Sequence, residues 1–194
     1  LEFTGDNTYV SGTIIAGGTL LLGHANALGQ GDKNAYVLLG ADGGTADVAM
    51  LTSAAVTISR DITISAGSGR ATIGSSGAGT STFSGRVIVS AAGKSVDLQA
   101  DAGGTVIFSA GVNTAGGQAG FGTLTKTGAG QAVLQGISSF QGDSYVDAGK
   151  LQVDGELSCR DMVVGVDGVL GGSRSVQAES VSVLGTVAHD AILS

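Results

Sequence analysis

Two aspartates separated by three residues, Asp143 and Asp147, form the first pair in this chain whose spacing suggests chemistry. On an extended strand, that spacing places both side chains on one face. Paired carboxylates in a groove with a nearby Arg or Lys would suit cleavage of a polysaccharide. Solvated acids at the ends of strands produce the same spacing, and we interpret the pair in that way.

The run Gly-Asp-Ser at residues 142–144 resembles the nucleophile motif of some serine hydrolases. A catalytic triad also needs a base that can reach the serine. The only histidines are His24 and His189, which lie near opposite ends of the chain. We therefore predict no catalytic residue and no enzyme activity.

Metal and redox motifs are equally incomplete. Residues 43–47 (Gly-Gly-Thr-Ala-Asp) match only part of the calcium-binding repeat G-G-x-G-x-D, without its third glycine or a tandem copy. The single cysteine, Cys159, excludes an internal disulfide and a thiolate zinc site. It is interpreted as a small buried residue, with an intermolecular bridge as the alternative. No metal site and no cofactor are expected.

Composition limits the partners. The 194 residues carry 9 Lys and Arg against 16 Asp and Glu, a net charge of −7, and the basic residues are scattered singly. Nucleic-acid binding requires clustered positive charge, so it is not expected. No stretch reaches the roughly 18 apolar residues of a membrane-spanning helix. The chain begins at Leu1 without a leader pattern, so an export signal and an anchor are expected outside it.

The elements that would have to position any site are short strands. Hydrophobic residues make up 42% of the chain, aromatic residues only 4%, and there are 35 Gly and no Pro. Several runs alternate strictly, as in Val56-x-Ile58 and Ile62-x-Ile64, which is typical of a strand with one buried face. Only residues 24–33 could hold a helical turn. The strands are too closely spaced for helical crossovers, which leaves a sandwich, a barrel or a solenoid.

Internal similarity favours the solenoid. The segment that starts at Gly5 aligns without gaps to the segment that starts at Gly136, so that Tyr9 matches Phe140 and Leu20 matches Leu151. The offset between the two copies is constant throughout. Self-similarity at a fixed offset is the signature of repeat architectures. With roughly 20–25 residues per coil, the chain would supply about eight or nine coils.

Residues 122–136 (Gly-Thr-Leu-Thr-Lys-Thr-Gly-Ala-Gly-Gln-Ala-Val-Leu-Gln-Gly) resemble the opening of the autotransporter-associated β-strand repeat, also called the passenger-associated transport repeat. Residues 138–153 are similar to its second half, and residues 3–22 supply another copy of that half. The resemblance implies an all-β fold, a right-handed parallel β-helix. We predict one β-helix segment over residues 1–194, with repeat-like units at 1–23 and 122–157 and further coils over 158–194.

The family resemblance implies a secreted bacterial protein displayed at the cell surface or outer membrane. We expect a structural stalk or fibre building block, with adhesion or carbohydrate binding as one alternative and a partial polysaccharide-active enzyme as another. End-to-end assembly of copies and a glycan or host-surface partner are both open. Four residues are candidate ligand contacts: Tyr36, Tyr145, Asp143 and Asp147.

Overall fold

The fold was examined in a computed structural model, which describes residues 1–31, 35–65, 67, 69–90, 94–114, 122–188, 190 and 192–193. Every regular element in these ranges is a β-strand. Every strand pairing in them is parallel, and each strand pairs with strands one coil before or after it. The predicted parallel β-helix is confirmed.

Each coil has three faces, and faces A and B belong to one continuous sheet. Face A contains Glu2–Phe3, Gly18–Leu22, Val48–Thr52, Ala71–Ser75, Val96–Ala100, Leu124–Thr127, the first part of Ser144–Val153, the first part of Asp161–Gly171, and Ser180–Val183. Face B contains Thr57–Ile58, Gly79–Phe83, Gly104–Phe108, Gln131–Leu134, the second parts of the same two long strands, and Thr186–Val187.

Face C is a separate sheet. It contains Thr13–Ile15, Val37–Leu39, Ile62–Ile64, Val87–Val89, Val112–Thr114, Ile137–Ser139, Glu156–Ser158, Ser175–Gln177 and Ile192–Leu193. In the part of the chain that the structure describes, faces A and C therefore have nine strands each, in agreement with the predicted eight or nine coils.

The core is a set of stacked columns, because the inward side chain of each strand lies over that of the next coil. On face A the column runs through Leu20, Met50, Ile73, Leu98, Lys126, Val146 and Val164. On face B the buried rings of Phe83 and Phe108 stack 5.4 Å apart between centroids. The aliphatic composition is thus used to build continuous apolar ladders.

Coil length divides the molecule into two regions. The first coil, in which Phe3 pairs with Leu22, is short. From Leu20 to Lys126 the coils are long, and the longest step of the face A column runs from Leu20 to Met50. Beyond Lys126 every step is shorter than any between Leu20 and Lys126, and the shortest runs from Val146 to Val164. We call residues 23–123 the wide region and residues 124–193 the compact region.

The difference arises at the corner between face C and face A. In the wide region this corner is long, as between the strands Val37–Leu39 and Val48–Thr52, whereas in the compact region only residues 159–160 separate Glu156–Ser158 from Asp161–Gly171. Two coils of the compact region also have no break between faces A and B, because Ser144–Val153 and Asp161–Gly171 bend from one face to the other. Gly149 lies in the first of these two bent strands with a positive φ of 66°, which L side chains rarely adopt.

The passage that could hold a helical turn forms consecutive tight turns over residues 24–28, and residues 32–34 of it lie outside the described residues. Ala27 and Leu28 are buried there and take the place of a face B strand in that coil. The aromatic that precedes each repeat-like strand packs as expected. Phe140 is buried, and the Tyr9 ring covers Gly29.

Candidate functional site

The most unusual buried group is Lys126, in the middle of the aliphatic column of face A. Its strand, Leu124–Thr127, alternates buried and half-buried residues, and Lys126 shares the inward side with Leu124. Its neighbours in the column are Leu98 in the preceding coil and Val146 in the following one. The whole residue is inaccessible to solvent.

The ammonium group of Lys126 is held by three backbone carbonyls. Nζ donates to the oxygens of Thr127 and Gly128 at 2.7 Å each and of Ala148 at 3.0 Å. Thr127 and Gly128 belong to its own coil and Ala148 to the next, so the side chain ties two coils together. Burial lowers the pKa of Lys126 to about 8, opposed by the more distant carboxylate of Asp101.

Two other cations use the same chemistry in the wide region. Lys94 donates to the carbonyls of Gly67 and Gly69, and Arg60, which is 5% exposed, donates to that of Leu28 at 2.7 Å. Burial also lowers the pKa of Lys94. The scattered basic residues of this acidic chain thus include three that satisfy backbone carbonyls in neighbouring coils.

Two of the candidate ligand-contact residues lie together on the outer side of face A. The hydroxyl of Tyr145 donates to Asp143 Oδ2 at 2.9 Å, and Arg160 Nη2 lies 2.7 Å from Asp143 Oδ1. The hydrogen bond and the charge of Asp143 raise the pKa of the Tyr145 phenol. Arg160 also reaches Asp161, whose pKa is lowered chiefly by a hydrogen bond from Ser180.

The other two candidates lie apart from this cluster or at its edge. Asp147 is exposed at the bend of the strand Ser144–Val153, where the register with the next strand shifts. Tyr36 precedes a face C strand of the wide region, is 58% exposed, and lays its ring over Gly12. Whether any of the four contacts a ligand stays a prediction.

The residues considered above for catalysis, metal binding or disulfide formation occupy positions that serve the fold. Ser144, of the Gly-Asp-Ser run, faces the core and is inaccessible to solvent. His24 accepts a hydrogen bond from the backbone N–H of Asn26, and His189 lies outside the described residues. Cys159 is buried at a corner, and burial raises the pKa of its thiol.

The residues that the structure describes contain no group of three or more His, Cys, Asp or Glu side chains arranged to hold a metal ion. They also contain no helix long and apolar enough to cross a membrane.

Sequence reasoning missed the inward position of Lys126, although a signal was present. Leu124 and Lys126 are separated by a single residue, and strand alternation gives both the same side. Burial of the lysine is not expected from the sequence because charged residues are rarely buried without a carboxylate partner.

Comparisons with known proteins agree with the fold. The family model of the passenger-associated-transport-repeat matches residues 1–22 and 124–153. The adhesin BmaC autotransporter of Brucella suis biovar 1 (strain 1330) is 33% identical over 171 residues, which cover 88% of this chain and 4% of the relative. An extracellular serine protease of Serratia marcescens is 36% identical over 83 residues, which cover 38% of this chain and 8% of the protease. No solved structure gives a significant match.

The chain thus spans less than a tenth of the length of either relative. Both stretches matched by the repeat model lie in short coils, since Phe3 already pairs with Leu22 in the first coil. The two relatives are named as an autotransporter adhesin and as an extracellular serine protease. Together with the repeat match, they support an autotransporter passenger repeat protein.

Proposed function

We propose that the chain serves as a non-catalytic β-helical stalk, or as a building block of an extracellular fibre. One observation carries the proposal: the buried column of face A continues without a gap from Leu20 to Val164. Burying aliphatic side chains contributes ~25 cal/mol per Å² of apolar surface, and stacked repeats add this contribution coil by coil. Nine rungs at the usual strand spacing give a length of about 40 Å.

Removal of one coil from the intact displayed protein tests this role. Ala71 pairs with Val96, so deletion of residues 71–95 joins Arg70 to Val96 in register. We expect normal display, a stalk shorter by ~4.8 Å, and unchanged activity of the rest of the protein. Deletion of residues 71–83, which removes only the face A and face B strands of that coil, is the matched control and should abolish folding.

A displayed protein that keeps its fold but loses target-cell binding after the in-register deletion would contradict the stalk role. That result would favour adhesion, the second candidate, which is supported by the relative named as an adhesin. Replacing Tyr36 and Tyr145 with Ala, singly and together, in a cell-binding assay then tests the predicted contacts.

The partial-enzyme alternative has weaker support. The serine protease relative matches over only 8% of its own length. Arg160 does lie beside Asp143, but it forms an ion pair with that carboxylate, while Asp147 lies at the bend of the strand. The unmodified chain would have to cleave a polysaccharide, and Asp143→Asn would have to abolish that cleavage, for this alternative to gain support.

End-to-end association of copies stays a prediction. In the last described coil, Val181, Val183 and Leu184 are 36%, 43% and 71% exposed, although Val183 continues the inward column of face A. A further coil would cover these side chains, whether it comes from the same polypeptide or another copy. An elution volume that is constant over a hundredfold range of concentration in size-exclusion chromatography would count against association of copies.

A further inference from the structure

A groove runs along the corner between faces B and C in the compact region. Three stacked segments line it, residues 135–137, 154–156 and 174–175, and they enclose a hollow of about 400 Å³. That volume lies within the range of small-ligand sites in proteins. The groove is separate from the cluster around Tyr145, which lies on face A.

The floor of the groove consists of Gly136 and Gly155. A Cβ atom on Gly155 would lie 2.1 Å from the carbonyl oxygen of Gly136, so stacking of the coils itself requires glycine here. Because the floor carries no side chains, the residues on either side stand as walls.

The walls carry varied chemistry. The lining side chains are those of Gln135, Ile137, Asp154, Glu156, Arg174 and Ser175. Asp154 already accepts hydrogen bonds from Gln152 and Ser173, and Glu156 accepts one from Gln177 through Oε1. Ile137 is 62% exposed, which is unusual for a large apolar side chain. Among the described residues, Arg174 has no ion-pair partner.

The sequence repeat accounts for the glycine in the floor of the groove but not for the side chains that line it. In the alignment of the two repeat copies, Gly136 corresponds to Gly5, so the glycine is common to both. The residues that flank it differ, since Gln135 corresponds to Thr4 and Ile137 to Asp6. The groove chemistry is therefore not shared by the first repeat copy.

Backbone N–H groups along the groove already form hydrogen bonds between neighbouring coils. The N–H of Gly155 donates to Leu134 at 2.8 Å, and that of Arg174 donates to Val153 at 3.1 Å. An extended peptide binds by pairing with free backbone groups at a sheet edge, which these N–H groups do not offer. A ligand must be recognised through the side chains of the walls.

We infer that this groove binds a neutral saccharide. Two carboxylates disfavour an anion and the guanidinium disfavours a cation, whereas sugar hydroxyls can donate to Glu156 and accept from Arg174 and Gln135. Ile137 offers an apolar surface to the C–H face of a sugar ring. The rungs repeat at ~4.8 Å, close to the length of one pyranose ring, so consecutive sugars would lie beside consecutive rungs. The inference goes beyond the stalk role and does not depend on it.

The test uses the whole chain and immobilised neutral oligosaccharides of hexoses and N-acetylhexosamines, with acidic oligosaccharides beside them. We expect binding to neutral members, weakened about tenfold by Glu156→Gln and by Arg174→Gln, as loss of one charged hydrogen bond predicts. Gln135→Trp, at an exposed position, should block the groove while leaving its charges in place. Glu179→Gln removes the same charge from an exposed position at another corner and should leave binding within about twofold.

Two results would overturn the inference: binding to no neutral oligosaccharide, or binding that none of the three groove variants reduces. Selective binding of acidic oligosaccharides would overturn it as well. Circular dichroism confirms that each variant is folded. A negative result leaves the stalk proposal intact, because that proposal is tested by coil deletion and not by ligand binding.

Discussion

The wide and compact regions share three faces and one core but close their coils differently. A wide coil, such as the one from Leu20 to Met50, has the longer chain and places its extra residues both between Gly18–Leu22 and Val37–Leu39 and at the corner between faces C and A. A compact coil, such as the one from Val146 to Val164, instead bends a single strand through the corner between faces A and B. The core therefore sets the position of the strands, while the corners set the length of chain per coil.

Lys126 lies where the two regions meet. It ends the last wide step of the column, from Leu98, and begins the first compact one, to Val146. Its ammonium group binds the carbonyl of Ala148, inside the first strand that runs from face A to face B. The comparison thus predicts that the lysine stabilises the first tight bend.

The largest expected effect comes from Gly155→Ala in the compact region. The new Cβ would lie 2.1 Å from a backbone oxygen of the adjacent coil, which no side-chain motion can relieve. We expect a loss of about 3 kcal/mol or more in the free energy of unfolding, measured by urea denaturation. Gly44→Ala, in a wide corner where the nearest backbone oxygen is 3.0 Å away, should cost far less. Equal losses would mean that the closeness of the backbone oxygen to the new Cβ does not set the cost of the substitution.

Lys126→Met should have the next largest effect. Methionine can fill the column, but three carbonyls lose their charged donor, and we expect a loss of about 2 kcal/mol. Lys94→Met is the wide-region counterpart, and Lys94 is only half-buried, so a smaller loss of about 0.5 kcal/mol is expected. Hydrogen exchange of residues 144–153 should rise in the first variant and stay unchanged in the second. A more stable Lys126→Met variant would show that desolvation of the ammonium outweighs its hydrogen bonds.

The same lysine predicts a pH dependence. Its pKa is about 8 in the folded chain and 10.5 in the unfolded one, so the unfolded state binds more protons between these values. This contribution to stability therefore rises with pH across that window, by at most ~1.4 kcal/mol per pH unit, and is lost as the pH falls through 8. Burial of Cys159 and the hydrogen bond of Tyr145 raise their pKa values and act in the opposite direction. The difference between the unmodified chain and Lys126→Met isolates the lysine, and a pH-independent difference would contradict the prediction.

The smallest expected effect is that of Tyr145→Phe on face A of the compact region. It removes one surface hydrogen bond to Asp143, which keeps its ion pair with Arg160, so the loss should be about 0.5 kcal/mol. A loss above that of Lys94→Met, measured by urea denaturation, would show that the outer cluster contributes to the stability of the bend.

Much of the fold could be predicted from local patterns, because a strand with one buried face alternates visibly and a repeated coil repeats in sequence. Val56-x-Ile58 and the match of Tyr9 to Phe140 were sufficient to predict a solenoid, and the resemblance of residues 122–136 to the transport repeat implied the parallel β-helix. The change of coil length was not predictable, since the length of a corner follows from the strand pairing between coils and not from a local residue pattern. The groove was missed because residues 135–137, 154–156 and 174–175 meet only when the register between coils is known.

The corner between faces C and A also has an evolutionary consequence. It consists of residues 159–160 alone in one coil and of residues 40–47 in another, while the three faces keep their pairing. Insertions at this corner therefore leave the core unchanged, whereas an insertion into Ser144–Val153 would shift the register of two faces at once. New surface loops, including those that would diversify an antigen, can accumulate along one line of the molecule without altering its fold.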